Sequence, residues 1–445
     1  MIRTRITILI SFFLLPWCFS LEAQSTKYAL KNYLNQESPE YSFKLQEKVQ
    51  LKGLTQYEFQ LTSQKWKDYI WEHRLVILVP KEVKYNQALL YIGGGKLENG
   101  LPANRNIDNE VIKSFEKLAV ENKAIVALIF QVPNQPIFDG RTEDEIISYT
   151  LHQYQETGDE TWPLLFPMVK SVQRGMDAII TFSSQDLGLN INNFMLTGLS
   201  KRGWTTWLTA SQDNRVNAIA PMVIDVLNMP VSLQYQIEMW NAYSPEIQDY
   251  VDLGIPQQAN TPAGKATIEM VDPYSYRDDL TIPKLVFIGT NDPYWPIDAA
   301  KNYWDHLPGE NNLVYIPNVE HDLGDRKAAL ANLSAFFELQ CKGLKMPNVN
   351  LAILKTSQEA LKIKLSASEL KPKSISVWES YSEEDMDFRD ELWNEKVLEG
   401  NTAKISLPKK GQKSVYFAFH FITPEGKSFY ISSRIIRCDR NGVIK

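Results

Sequence analysis

"MLTGLSKRGWTTWLTAS", Met195 to Ser211, decides the reading of this chain. A buried-looking apolar run ends at Gly198, Ser200 follows, and helical spacing begins at once. In an α/β-hydrolase the nucleophile stands on such a strand-to-helix turn, held so that its Oγ projects at the helix start. A serine that merely opens a helix gives the same local pattern. What separates the two readings is the order of its partners, acid and then histidine, each after a later strand. "PKLVFIGTNDPYW" places Asp292 directly after an apolar run, and "NNLVYIPNVEHD" places His321 just past the next one. Five histidines occur, His73, His152, His306, His321 and His420; of these, His321 stands at a strand end downstream of both serine and acid. His321 is therefore the candidate general base, and Asp292 the residue that orients it. Asp225, at the close of "VNAIAPMVID", is the alternative acid, while Asp322 reads as a loop charge.

An oxyanion needs backbone donors. Lys201 supplies the N–H after the nucleophile, and "YIGGGK" offers Gly94 and Gly95 at the end of an earlier apolar run. A phosphate-binding loop competes for the glycines, but their spacing lacks either nucleotide fingerprint. The elbow departs from Gly-x-Ser-x-Gly: Arg202 stands at the second glycine's position and Gly203 comes one residue late. Arg202 is either a substrate contact or the partner of a carboxylate. Trp204, Tyr294 and Trp295 flank these positions and are candidates for lining a substrate pocket; for Trp204, packing beneath the catalytic loops is an equal reading.

Outward from the elbow, continuous apolar runs alternate with helical patterns from about residue 70 to 340, which predicts a mostly parallel sheet covered on both faces. Two stretches interrupt the alternation. Residues 137–162 read as a helical insertion whose "TEDE", Thr142 to Glu145, is taken as a solvated helix start. Residues 227–281 are long enough to form a cap over the sheet edge. Past Cys341 the period changes to short alternating runs, the pattern of a β-sandwich over 341–445, with the hydrolase unit spanning 24–340.

The N-terminus, "MIRTRITILISFFLLPWCFSLEAQS", carries basic Arg3 and Arg5, an apolar stretch and a small residue at Ala23, which predicts a signal peptide over 1–23 and a secreted or periplasmic protein without a stable membrane span. Pro16 and Trp17 before Cys18 argue against a lipoprotein. Export leaves Cys341 and Cys438 as an even pair, either a disulfide or two unrelated buried thiols. Net charge is −6 without a basic block, which sets nucleic-acid binding aside. No metal or cofactor motif stands out.

"GLSKRGWTTWLTAS", "APMVIDVLN", "GTNDPYWPIDAAKNYWDHLPG" and "PNVEHD" together resemble the PhoPQ-activated pathogenicity-related family. The resemblance implies an α/β-hydrolase fold, an elbow of the form Gly-x-Ser-Lys-Arg-Gly, and Ser200, Asp292 and His321 at the triad positions. It names no substrate. The reading that follows is a secreted serine hydrolase acting on a small-molecule or peptide ester or amide through an acyl-enzyme on Ser200. The alternative, from a different class, is a secreted signalling or binding protein that keeps the fold without turnover and meets a protein partner through its C-terminal module.

Overall fold

The computed structural model describes residues 26–103, 106–357 and 359–444. Residues 1–23, read from sequence as a signal peptide and including Cys18, lie outside the described residues. Strands β1 (Ser42–Gln50), β2 (Leu54–Trp66), β3 (Tyr69–Pro80), β4 (Gln87–Ile92), β5 (Val126–Ile129), β6 (Asn193–Leu199), β7 (Val216–Met222), β8 (Lys284–Gly289) and β9 (Asn311–Ile316) lie in the order β1-β2-β3-β5-β4-β6-β7-β8-β9. The first three are antiparallel to their neighbours. From β5 to β9 every pairing is parallel.

Every residue of β4, β5 and β8 is buried, which is why these strands read as unbroken apolar runs. Their two faces nevertheless feed separate cores. Ala88, Leu90 and Ile92 of β4 join one, and Leu89 and Tyr91 join the other. Helices α1 (Asn106–Asn122), α3 (Leu165–Leu187), α4 (Lys201–Gln212) and α7 (Lys327–Cys341) cover those faces. The hairpin β1–β2 falls outside the run of parallel elements that the sequence reading began near residue 70. Its outer strand is mostly exposed and alternates weakly, so it carried little periodic signal.

The chain leaves β4 outward to β5, then returns to β6 on the other side of β4 and continues away. The carboxyl ends of β4 and β6 therefore border the crevice where the winding direction reverses, the usual seat of a ligand in an open α/β sheet. The two insertions gather there: α2 (Glu143–Thr157) from the first, α5 (Met229–Trp240) and α6 (Pro262–Val271) from the second.

The C-terminal strands are β10 (Val349–Thr356), β11 (Ala360–Ala367), β12 (Ser374–Ser382), β13 (Asn394–Val397), β14 (Thr402–Ser406), β15 (Gln412–Ile422), β16 (Ser428–Ser432), β17 (Ile436–Asp439) and β18 (Gly442–Val443). β10, β11 and β14 form a three-stranded sheet of their own, but β16 pairs with β9 at Leu313 and Ser432, so the other six continue the central sheet. Phe336 and Phe337 of α7 share a core with Phe417 and Phe419 of β15. Alternation reports one buried face per strand; it cannot report that the layer is sewn onto another sheet.

The Cys341–Cys438 disulfide is not formed: both thiols are free. Cys341 ends α7 among Lys427 and Glu338, while Cys438 sits on β17 among Lys413 and Glu379, so the two occupy different surroundings. Burial pushes the Cys341 thiol up to about 12 and the Cys438 thiol to about 11.

Candidate active site

β6 ends, Ser200 turns, and α4 begins at Lys201. Ser200 has φ 56° and ψ −126°, a strained conformation for a residue with a side chain. Its N–H donates to Met222 O at 2.8 Å, which ties the turn to the end of β7. The glycines around it permit the approach. A Cβ on Gly203 would stand 2.7 Å from Ile224 Cγ2 and 3.0 Å from Gly198 O, and one on Gly198 would stand 2.8 Å from the Arg202 backbone. The glycine that lets helix and strand close up is thus Gly203, one residue later than the usual spacing.

Arg202 is engaged by a carboxylate and a backbone carbonyl. Its Nη1 and Nη2 donate to Glu143 Oε2 and Oε1 at 2.7 and 2.8 Å, and its Nε donates to Val132 O at 2.5 Å. Lys201 Nζ lies 2.9 Å from both Glu143 Oε2 and Asp144 Oδ2. Glu143 and Asp144 belong to the "TEDE" stretch, whose reading as a solvated helix start is corrected here: two of its carboxylates pair with the elbow's cations. Burial would raise the Glu143 carboxyl, but Arg202 and Lys201 hold it well below the usual carboxylate range. No pattern within "TEDE" could have signalled this, because its partners lie almost sixty residues away.

The glycine loop after β4 lies against the same cluster. The Arg202 guanidinium passes 2.6 Å from where a Cβ of Gly94 would be, and Gly95 O accepts from Gln135 Nε2 at 2.9 Å. Gln135 also donates to Glu143 Oε1 at 2.6 Å. Lys201 is the first residue of α4, so its N–H is one of the helix-start donors without an intrahelical acceptor. The glycine loop and the start of α4 are thus linked through Arg202, Glu143 and Gln135.

Asp292 follows β8 and is buried. Its Oδ2 accepts from His321 Nδ1 at 2.8 Å, and its Oδ1 accepts from Tyr294 N at 2.9 Å. The Tyr294 ring stacks on the imidazole, centroids 4.1 Å apart at 29°. Gly289 makes room for the histidine loop, since a Cβ there would stand 2.5 Å from Glu320 O. His321 Nε2 is buried and has no protein partner among the described residues. No hydrogen bond joins it to Ser200 Oγ; catalytic contacts of this kind often tighten only with substrate bound. The four other histidines lie elsewhere: His73, for example, bonds Ser63 and Phe130 O in the core.

Asp225, the alternative acid, makes no hydrogen bond or ion pair with His321. It is 1% exposed, and the Tyr303 hydroxyl lies beside it without completing a hydrogen bond of normal geometry. Burial, with Asp292 and Asp298 nearby, pushes its carboxyl up to about 7.

Sequence reasoning missed what holds the Asp292 and His321 loops. Asn291 Nδ2 donates to Arg389 O at 3.0 Å and to Glu391 O at 2.8 Å. Asn318 Nδ2 donates to Trp393 O at 3.0 Å, and Trp393 N donates back to Asn318 Oδ1 at 2.8 Å. One C-terminal segment thus clasps both loops. Trp204, Tyr294 and Trp295 line a pocket that opens at Ser200. Trp204 donates Nε1 to Val271 O at 2.6 Å, so it is both pocket wall and a support for the cap.

Residues 30–389 match the family described as PhoPQ-activated pathogenicity-related protein. The chain is 32% identical over 317 residues to "Autocrine proliferation repressor protein A" of Dictyostelium discoideum, covering 68% of this chain and 63% of that relative's length. Among solved structures it is similar to acetyl xylan esterase 1 from a Thermoanaerobacterium species (12% identity, TM-score 0.49, 72% of this chain and 94% of that one). It is also similar to a glucuronoyl esterase from Solibacter usitatus (11% identity, TM-score 0.43, 71% of this chain and 92% of that one).

Proposed function

The chain belongs to the PhoPQ-activated pathogenicity-related family, and from that premise we propose that it is an exported serine hydrolase cleaving an ester or amide. The observation that carries the reading is the Asp292–His321 pair, 2.8 Å apart, set beside a strained serine that opens onto a pocket. Asp292 fixes the imidazole with Nδ1 protonated, which leaves Nε2 as the base. Ser200 Oγ attacks the carbonyl carbon as its proton passes to His321 Nε2. The oxyanion is met by the N–H of Lys201 and those of Gly94 and Gly95. When the bond to the leaving group breaks, His321 returns the proton to the departing oxygen or nitrogen. Water, deprotonated by the same nitrogen, then releases the acid and restores Ser200.

Ser200→Ala should lower turnover across a panel of aryl esters and aminoacyl amides by about 10⁴–10⁶-fold, the range for loss of a triad serine. Undiminished turnover in that variant would refute the assignment. A second reading, a secreted signalling protein that keeps the fold without turnover, draws on the name of the Dictyostelium relative. A folded parent that hydrolyses nothing on the panel would favour it.

A further inference from the structure

The pocket at Ser200 has a composition of its own. The sheet side supplies Trp204, Ile224 and Val226, and the cap supplies Leu233, Ile268 and Val271. Its cavity volume is about 90 Å³, a narrow space. Its charged lining residues are Asp144 and Lys201, and these neutralise each other at 2.9 Å; Asp144 Oδ1 also accepts from Tyr250 at 3.0 Å. Beyond that pair, the fully buried side-chain polar atoms of the lining without a protein partner among the described residues are Trp295 Nε1 and Gln155 Oε1. Nothing in the lining suits a charged ligand, and burying one there unpaired would be costly.

The position of the pocket says which half of a substrate it takes. Ser200 and Lys201, the nucleophile and an oxyanion donor, form part of its wall, but His321 does not. The leaving atom must sit within reach of His321 Nε2 to receive its proton. The group inside the pocket is therefore the one on the carbonyl carbon. We propose that the pocket is an acyl site and that the substrates are neutral esters or amides of carboxylic acids with an aliphatic chain of several carbons. This deepens the hydrolase reading and rests on it.

The test compares kcat/KM for p-nitrophenyl acetate, butyrate and octanoate on the full mature chain, alongside labelling by a fluorophosphonate. The efficiency should rise by at least about tenfold from acetate to octanoate, since each methylene placed in an apolar pocket aids binding. Ile268→Trp and Leu233→Trp, which fill the cap side, should reverse that order of preference. Labelling accompanied by preference for acetate, or for an acyl group with a free α-amine, would overturn the acyl site while leaving the hydrolase reading intact. A folded protein that neither labels nor hydrolyses any of the three would overturn both. If the tryptophan variants do not fold, the chain-length profile of the unaltered protein decides alone.

Discussion

The Ser200 side of the site and its Asp292–His321 side are built in opposite ways. Ser200 is placed by its immediate neighbours in sequence: β6 before it, α4 after it, and the glycines at 198 and 203 that let them meet. Asp292 and His321 stand on two loops from separate strands. These loops are tied together by Asn291 N donating to Val319 O at 3.0 Å and Asn318 N donating to Thr290 Oγ1 at 2.8 Å. They are then clasped by residues 389–393, from 75 to 100 positions further on. A local turn needs little from the rest of the chain. A pair of long loops needs an outside frame, and here the C-terminal strands supply it.

That contrast fails first if the C-terminal strands are dispensable. Ending the chain at Gln340 keeps the whole elbow but strips β16 from β9 and uncovers Phe336 and Phe337, both 0% exposed. The shortened protein should show no cooperative unfolding transition by calorimetry or circular dichroism. A truncated protein that unfolds cooperatively and keeps its turnover would break the comparison.

The ground beneath the acid loop allows a second test. With its carboxyl at about 7 in the folded protein and near 4 when unfolded, Asp225 holds its proton in the native state across that interval. The native state binds the extra proton, so this group's contribution is fully present below about pH 4 and is lost as pH rises through 7. Asp225→Asn removes the penalty of burying the charge. It should stabilise the protein at pH 8 by up to about 4 kcal/mol, with the gain vanishing near pH 4. Denaturant titrations at the two pH values read this directly. Activity should survive, because Asp292 holds the imidazole; a collapse of kcat would return the acid's role to Asp225.

A smaller change probes the clasp itself. Asn318→Gly keeps the backbone at φ 56° comfortable while deleting both hydrogen bonds to Trp393. Loosening the histidine loop should lower kcat by about 10–100-fold with little change in KM, since misplacement of a catalytic group by an ångström is worth that much. An unchanged kcat would mean that the frame supports folding only.

The legibility of the site follows the same division. The elbow, the order of acid and histidine, and the parallel sheet could be read because each depends on contiguous residues and their periodicity. The Glu143–Arg202 pair could not, since a charged "TEDE" looks alike whether it faces water or a guanidinium. The clasp was hidden for a related reason: Asn318 and Trp393 are ordinary loop residues until the fold brings them together. The choice between a disulfide and two separate thiols could not be made from the sequence, because an even count says nothing of where each thiol lies.

The measurement that tests the account most directly is residue-level mapping of a fluorophosphonate adduct by peptide mass analysis. The serine hydrolase account predicts one phosphonylated site, Ser200, formed in the parent protein and absent from Ser200→Ala. It also predicts that labelling is strongly slowed in His321→Ala, which lacks the base. An adduct on another residue, or labelling that persists in Ser200→Ala, would contradict it.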